Sequence, residues 1–233
     1  MSPFQFKHFS IQQESSAMKV GTDGVLLGAW STIKDGNTLD VGTGTGLIAI
    51  MLAQRNTSIT IDAVEIEIEA FKEAEINCNN CTWKNRISVY NNAIQDFQPQ
   101  KKYDTIISNP PFFIDSTKAP KPDRNSARHT DELSFQDLIT NVIRLLNPEG
   151  IFSLILPITE AEQFTELAKE EKLFLSKKCV IKPNPIKPVK RVLMQFSLQP
   201  KELIETELTI ETITRHQYTK EYISLTKDFY LKF

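Results

Sequence analysis

The chain has 233 residues, a formal net charge of −2 and 40% hydrophobic residues. That is enough apolar material for one packed domain with additions, but the charge gives no global positive field to recruit nucleic acid, so any such contact must come from local patches. Three cysteines argue against a disulfide framework, no apolar run is long enough to span a bilayer, and residues 1–13 lack the apolar stretch of a signal peptide, so a soluble cytoplasmic protein is expected.

Apolar runs alternate with helical patterns along most of the chain, which predicts an α/β fold: a mostly parallel sheet with helices on both faces. Met18 to Trp30 contains a short apolar helix that Thr22 or Asp23 can cap. Residues 38–41 read as a strand, 47–55 as a helix, 59–65 as a strand and 67–77 as a helix. Strands follow at 87–90 and 103–108, then an amphipathic helix at 135–146 that stops at Asn147-Pro148-Glu149-Gly150, a turn signal. Residues 151–156 form a strand and 160–171 a helix. Residues 173–182 and 192–198 form a final strand pair with the second strand antiparallel, 203–214 a further strand-like run, and 220–225 a short helix. A single domain is expected, with an N-terminal flap (1–36), a core (37–200) and a C-terminal extension (201–233).

The densest chemistry sits at Asn109-Pro110-Pro111-Phe112, directly after the strand at 103–108. Two consecutive prolines cannot continue a central strand, and each holds the preceding residue extended. The result is a stiff turn that projects the Asn109 amide, the Pro110 carbonyl and the Phe112 ring. Two fixed acceptors beside an aromatic face suit a flat, amine-bearing group such as an adenine drawn out of a nucleic acid. A rigid strand-end loop without chemistry is the competing reading.

Asp40-Val41-Gly42-Thr43-Gly44-Thr45-Gly46 joins a strand to a helix, and Glu65 ends the next strand about twenty residues on. Glycines let the backbone approach a ligand, and an acid at that distance can accept from ribose hydroxyls. The dinucleotide fingerprint wants its third glycine one position later, where Leu47 stands. The acid at Asp40 disfavours a diphosphate and favours a cationic amine. S-adenosylmethionine (SAM) therefore fits better than NAD, with a plain tight turn as the alternative. Asn92 and Ala93 are candidates for reading the adenine edge of such a cofactor, or form an ordinary turn. Lys19, Thr22 and Asp23 are candidates near its methionine end.

Two loops are basic. Residues 116–128 carry Lys118, Lys121, Arg124 and Arg128, and the proline-rich segment 182–191 carries Lys182, Lys187, Lys190 and Arg191 without an acid. They predict a local phosphate-binding surface. Cys78-Asn79-Asn80-Cys81 has the spacing of a redox pair or half a zinc site, but no second pair exists and the histidines are scattered; these are read as ordinary residues near a helix end, and no metal is expected.

Together, the glycine loop, Glu65 and Asn109-Pro110-Pro111-Phe112 resemble the class I SAM-dependent amino-methyltransferases. Phe4-Gln5-Phe6-Lys7-His8-Phe9, the segment Lys19 to Trp30, Ala127-Arg128-His129 and Tyr218-Thr219-Lys220-Glu221-Tyr222 bring the chain closer to the bacterial tRNA(Val) adenine N6-methyltransferases, over nearly its whole length. The resemblance implies a Rossmann-like fold with a mostly parallel seven-stranded sheet whose last strand is antiparallel, SAM as methyl donor, and tRNA(Val) as the partner. It implies methylation of the adenosine next to the anticodon, with Asn109, Pro110, Pro111 and Phe112 as the catalytic turn. Asp40, Gly42, Gly44, Gly46, Glu65, Asn92 and Ala93 would bind the cofactor. Arg124, Arg128, Lys187, Lys190 and Arg191 would hold RNA. Asn92 departs from the aspartate many relatives carry. An rRNA base, DNA adenine or protein glutamine remains open as substrate, as do an NAD-dependent oxidoreductase and a non-catalytic SAM-binding module. Oligomeric state is open, with a monomer favoured.

Overall fold

The computed structural model describes residues 3–14, 19–110 and 133–232. Pro111, Phe112, Arg124, Arg128 and the whole basic segment 116–128 lie outside the described residues.

A small hairpin, β1 (Phe4–Gln5) and β2 (Ser10–Ile11), precedes helix α1 (Thr22–Trp30). The alternation then runs β3 (Gly36–Val41), α2 (Leu47–Arg55), β4 (Ile59–Glu65), α3 (Ile68–Asn80), β5 (Ile87–Asn91) and β6 (Tyr103–Ser108). It resumes with α4 (Phe135–Leu145), β7 (Leu146–Pro157), α5 (Ile158–Glu170), β8 (Phe174–Lys182), β9 (Arg191–Ser197), β10 (Ile204–Thr209) and α6 (Lys220–Thr226). One sheet takes the order β10-β8-β9-β7-β6-β3-β4-β5. Strand β9 is antiparallel to both β7 and β8, whereas the other pairings in this sheet are parallel.

Successive buried residues in the central strands serve opposite faces, as the pleat requires. Ile106 and Leu154 face α4 and α5, joining Phe135, Phe152, Phe164 and Phe196. Their neighbours Ile107 and Ile155 face α1, α2 and α6, with Leu27, Ile48 and Tyr222. Each such fully buried side chain contributes about 1.5–3 kcal/mol. Helix α4 is pinned at its start by Ser134, whose hydroxyl accepts the Asp137 N–H at 3.0 Å.

The α/β reading and the reversed strand hold, but three boundaries differ. Among the described residues the sheet has eight strands, because β10 adds to the outside of β8 in parallel. The run at 203–214 yields strand only to Thr209. Beyond it, Thr212 N–H bonds to the Gln217 carbonyl at 2.7 Å and closes a hairpin tip. The turn at 147–150 is an insertion inside β7: Leu146 pairs with Tyr103 and Ile151 with Thr105. Asp104 stabilises it, accepting from Asn147 Nδ2 at 2.7 Å and from the Asn37 N–H at 2.9 Å. The expected cap on α1 is also replaced. The helix begins at Thr22 itself, Gly21 occupies the capping position without a side-chain bond, and Asp23 is engaged elsewhere.

From β3 the chain moves outward to β4 and β5, then returns to β6 on the other side of β3. That reversal opens a crevice beyond the carboxyl ends of β3 and β6, where α/β sheets bind ligands.

Candidate active site

The glycine loop leaves β3 by a sharp turn in which Gly42, Gly44 and Gly46 have φ of 66°, 57° and 80°. Only glycine adopts this left-handed series without strain. A Cβ on Gly42 or Gly44 would meet nothing within 4 Å, so the loop borders open space there. A Cβ on Gly46 would sit 3.0 Å from Cys78 Sγ, so this glycine lets α3 pack tightly against the loop. The loop is held from below by the Gly42 and Thr43 N–H groups, which donate to the Val64 carbonyl at 2.9 and 3.1 Å.

Two carboxylates bracket it. Glu65, at the end of β4, accepts the Gly44 N–H on Oε2 at 2.8 Å and the Glu67 N–H on Oε1 at 3.0 Å. Both oxygens are thereby oriented, and each retains a lone pair for a further donor. Asp40 is fully buried; its Oδ2 accepts Thr43 Oγ1 at 2.6 Å and the Ala49 N–H at 3.2 Å. Its Oδ1 is shut off from solvent with no hydrogen-bond partner among the described residues. Burial pushes the Asp40 pKa from 3.8 to about 7, and the neighbouring Glu65 charge adds to the rise, while the bonds from Thr43 and Ala49 oppose it. A buried carboxylate with one unsatisfied oxygen beside an open loop fits a cationic donor such as an ammonium.

Asn109 follows β6, the strand next to β3. Ser108 Oγ donates to the Val41 carbonyl at 2.9 Å, tying the two strand ends together. The start of α1 closes over this point: a Cβ on Gly24 would lie 3.2 Å from Leu47 Cδ2 and 4.0 Å from Asn109 Nδ2. Glycine at that position lets the helix approach both the amide and the first turn of α2. Pro110 is buried behind Asn109.

The other expected residues divide. Lys19, ahead of α1, and Thr22, its first residue, are exposed. Asp23 receives Arg191 Nε at 2.7 Å, with both side chains largely buried. Arg191 was expected to face RNA phosphate, but as the first residue of β9 it lies opposite Pro157 at the end of β7, which brings it against α1. At the expected adenine-reading pair Asn92 and Ala93, the Asn92 N–H donates to the Glu65 carbonyl at 3.1 Å. Lys187 and Lys190 are exposed. Cys78 and Cys81 are buried free thiols, and among the described residues no group of three His, Cys, Asp or Glu is placed to hold a metal ion.

Two asparagines escaped sequence reasoning. Asn77 of α3 donates Nδ2 to the Thr45 carbonyl and to the Gln12 carbonyl, both at 2.9 Å, and accepts the Gln12 N–H at 2.8 Å. It ties the glycine loop to the N-terminal strap. A signal was available: Asn77 continues the buried face of Ala70, Glu73 and Ala74, where a polar side chain needs a reason. Asn91 Nδ2 donates to the Glu65 carbonyl at 2.8 Å and fixes the end of β4.

The model of the methyltransferase small domain family matches residues 16–156. The chain is 48% identical over 233 residues to a protein of Parabacteroides distasonis named tRNA1(Val) (adenine(37)-N6)-methyltransferase, covering 98% of each chain. It is 46% identical to a protein of the same name from Flavobacterium psychrophilum, covering 98% of this chain and 99% of the relative. Among solved structures, a predicted O-methyltransferase from Agrobacterium tumefaciens superposes with a TM-score of 0.72 at 18% identity, over 89% of this chain and 96% of that one. This last likeness is one of fold.

Proposed function

Because the chain belongs to the methyltransferase small domain family, and within it to the group that the tRNA1(Val) (adenine(37)-N6)-methyltransferases form, we propose that it methylates N6 of the adenosine at that tRNA position, with SAM as donor. The observation that carries the chemistry is the placement of Asn109 and Pro110 at the end of β6, one strand from the glycine loop on β3.

SAM, when bound, supplies an electrophilic methyl on a sulfonium sulfur. Gly42 and Gly44 would let the backbone lie close to it, Glu65 would accept from the ribose hydroxyls, and Asp40 would receive the ammonium. Asn92 and Ala93 would border the adenine. An exocyclic adenine amine is a poor nucleophile because its lone pair is delocalised into the ring. Asn109 Oδ1 and the Pro110 carbonyl would each accept one of its N–H groups, turning the lone pair out of conjugation and stabilising the positive charge that develops on nitrogen. Phe112 would stack on the extruded base, with Pro111 stiffening the turn. In-line positioning supplies the rest: the methyl's bond to sulfur would break as its bond to N6 forms, leaving a neutral thioether, and the proton lost from N6 would pass to water. Lys187, Lys190, Arg124 and Arg128 would contact RNA phosphates in a cytoplasmic, monomeric enzyme.

The test is transfer of labelled methyl from SAM to unmodified tRNA(Val), with the product digested to nucleosides. N6-methyladenosine is expected. Label appearing only in protein or in rRNA overturns the substrate reading.

A further inference from the structure

The C-terminal extension runs back to the active-site edge of the sheet. Strands β8 and β10 are parallel to β6, so their carboxyl ends lie on the same edge as Asn109. The ladder between them continues past the strands: the Ile210 N–H donates to the Lys182 carbonyl and the Glu211 N–H to the Pro183 carbonyl, both at 2.9 Å. Two loops therefore rise side by side from that edge, the proline-rich 183–190 and the hairpin 212–217. Four strand spacings of about 4.8 Å separate β6 from β10, placing the hairpin roughly 20 Å from Asn109 along the edge.

The hairpin is rigidly built. Glu211 bridges to Tyr218, the Gln217 N–H donates to the Thr214 carbonyl at 3.2 Å, and the Thr219 N–H to the Ile210 carbonyl at 3.0 Å. His216 is held at φ 65°, with its N–H on Glu211 Oε1 at 3.1 Å. Such a left-handed non-glycine residue persists only where its surroundings hold it. The tip exposes Arg215 and His216, with Lys220 just beyond, and the neighbouring loop exposes Lys187 and Lys190. Neither stretch, 183–190 nor 212–220, contains an acid, in a chain whose net charge is −2. Each loop also carries one apolar tip, Ile186 and Ile213, exposed by 77% and 75%. Cations around apolar tips fit a folded RNA strand whose phosphates and unstacked bases are both accessible.

We infer that the hairpin 212–217 and the loop 183–190 form a two-pronged clamp for the RNA strand flanking the target adenine, with Arg215 and Lys187 on its phosphates and Ile213 and Ile186 against its ribose or base faces. The clamp rests on the reading of the protein as an RNA methyltransferase and adds the C-terminal hairpin to its contact surface. Both prongs stand outside the cofactor loop, so they act on RNA affinity alone.

The experiment uses the full-length protein with an unmodified tRNA(Val) transcript. Lys187→Glu combined with Arg215→Glu should raise the RNA KM by about tenfold or more and reduce the log–log salt slope by about 2, one per lost phosphate contact. kcat at saturating RNA and the affinity for SAM should stay at wild-type values, which also certifies the fold. Ile213→Ser should raise KM without changing the salt slope. An unchanged KM and slope in the charge-reversed variant, while the wild type methylates the transcript, overturns the clamp. A wild type that binds SAM yet methylates no RNA refutes the functional reading instead.

Discussion

Asp40 is a buried acid whose charged form waits for a partner. Its pKa of about 7 lies above the ordinary 3.8, so its contribution to the stability of the free protein is complete below 3.8 and is lost as pH rises through about 7. A cationic amine against Oδ1 would reverse that preference and expel the proton. SAM binding should therefore release close to one proton per site below pH 7, and affinity should fall about tenfold per pH unit on the acid side. Calorimetry in buffers of different ionisation enthalpy measures the release; a proton count that is the same in Asp40→Asn would exclude the linkage. For Asn109, replacement by alanine removes one acceptor from the proposed amine grip. Turnover should drop by about a hundredfold or more, the scale of one lost transition-state hydrogen bond, while SAM affinity holds. Wild-type turnover in that variant would remove Asn109 from the chemistry.

The element that sets the glycine loop is α3, through Asn77. Asn77 satisfies the Thr45 carbonyl and both backbone groups of Gln12; truncation strands the buried Thr45 carbonyl at about 1–3 kcal/mol, while the part-buried Gln12 groups can turn to water. Asn77→Ala should weaken SAM binding about tenfold or more and lower Tm, with a smaller effect on the RNA KM. Equal losses for SAM and RNA would point to general destabilisation. The loop itself was legible in the sequence, because glycine spacing and an acid twenty residues on are local signals. Asn109-Pro110 was legible for the same reason. What holds them was not: the Asp23–Arg191 pair joins residues 168 apart, and only the insertion of β9 beside β7 brings them together. A basic residue in a basic loop reads as a phosphate ligand until the sheet order shows it facing an acid. Cap chemistry misled at α1 too, since Thr22 and Asp23 stand in the first turn and not before it.

Across the whole molecule, the sheet's alternation was readable from apolar runs, and 203–214 read as strand-like, but its place at the sheet's outer edge and its end at Thr209 were not. Strand β10 is exposed along most of its length and carries Glu205 and Glu207, paired with Lys178 and Lys182, so it lacks the apolar signature of a core strand. Its one buried residue, Leu208, joins Tyr222 of α6 beneath α1 and α2. Phe229 packs with Phe6 and Phe9 of the N-terminal strap, and its carbonyl accepts the Lys7 N–H at 2.8 Å. The two ends of the chain thus stabilise each other and the helix above Asn109. Truncation after Pro200 would uncover these side chains at about 1.5–3 kcal/mol each, and Tm should fall by about 10 °C or more. A truncated chain that melts with the full-length protein would show the extension to be detachable.

The reversed strand also imposes an order of assembly. β8 is synthesised before β9, yet in the sheet β9 lies between β8 and β7, and among the described residues β10 pairs only with β8. Until residues 191–197 have left the ribosome, β8 has no place on the growing sheet and the edge of β7 stays open. Strands β7, β6, β3, β4 and β5 need none of these later residues to pair. The crevice between β3 and β6 can thus form on the nascent chain while the surface around β8 and β10 is still unmade, so the proposed seat of the methyl donor would precede the proposed RNA clamp.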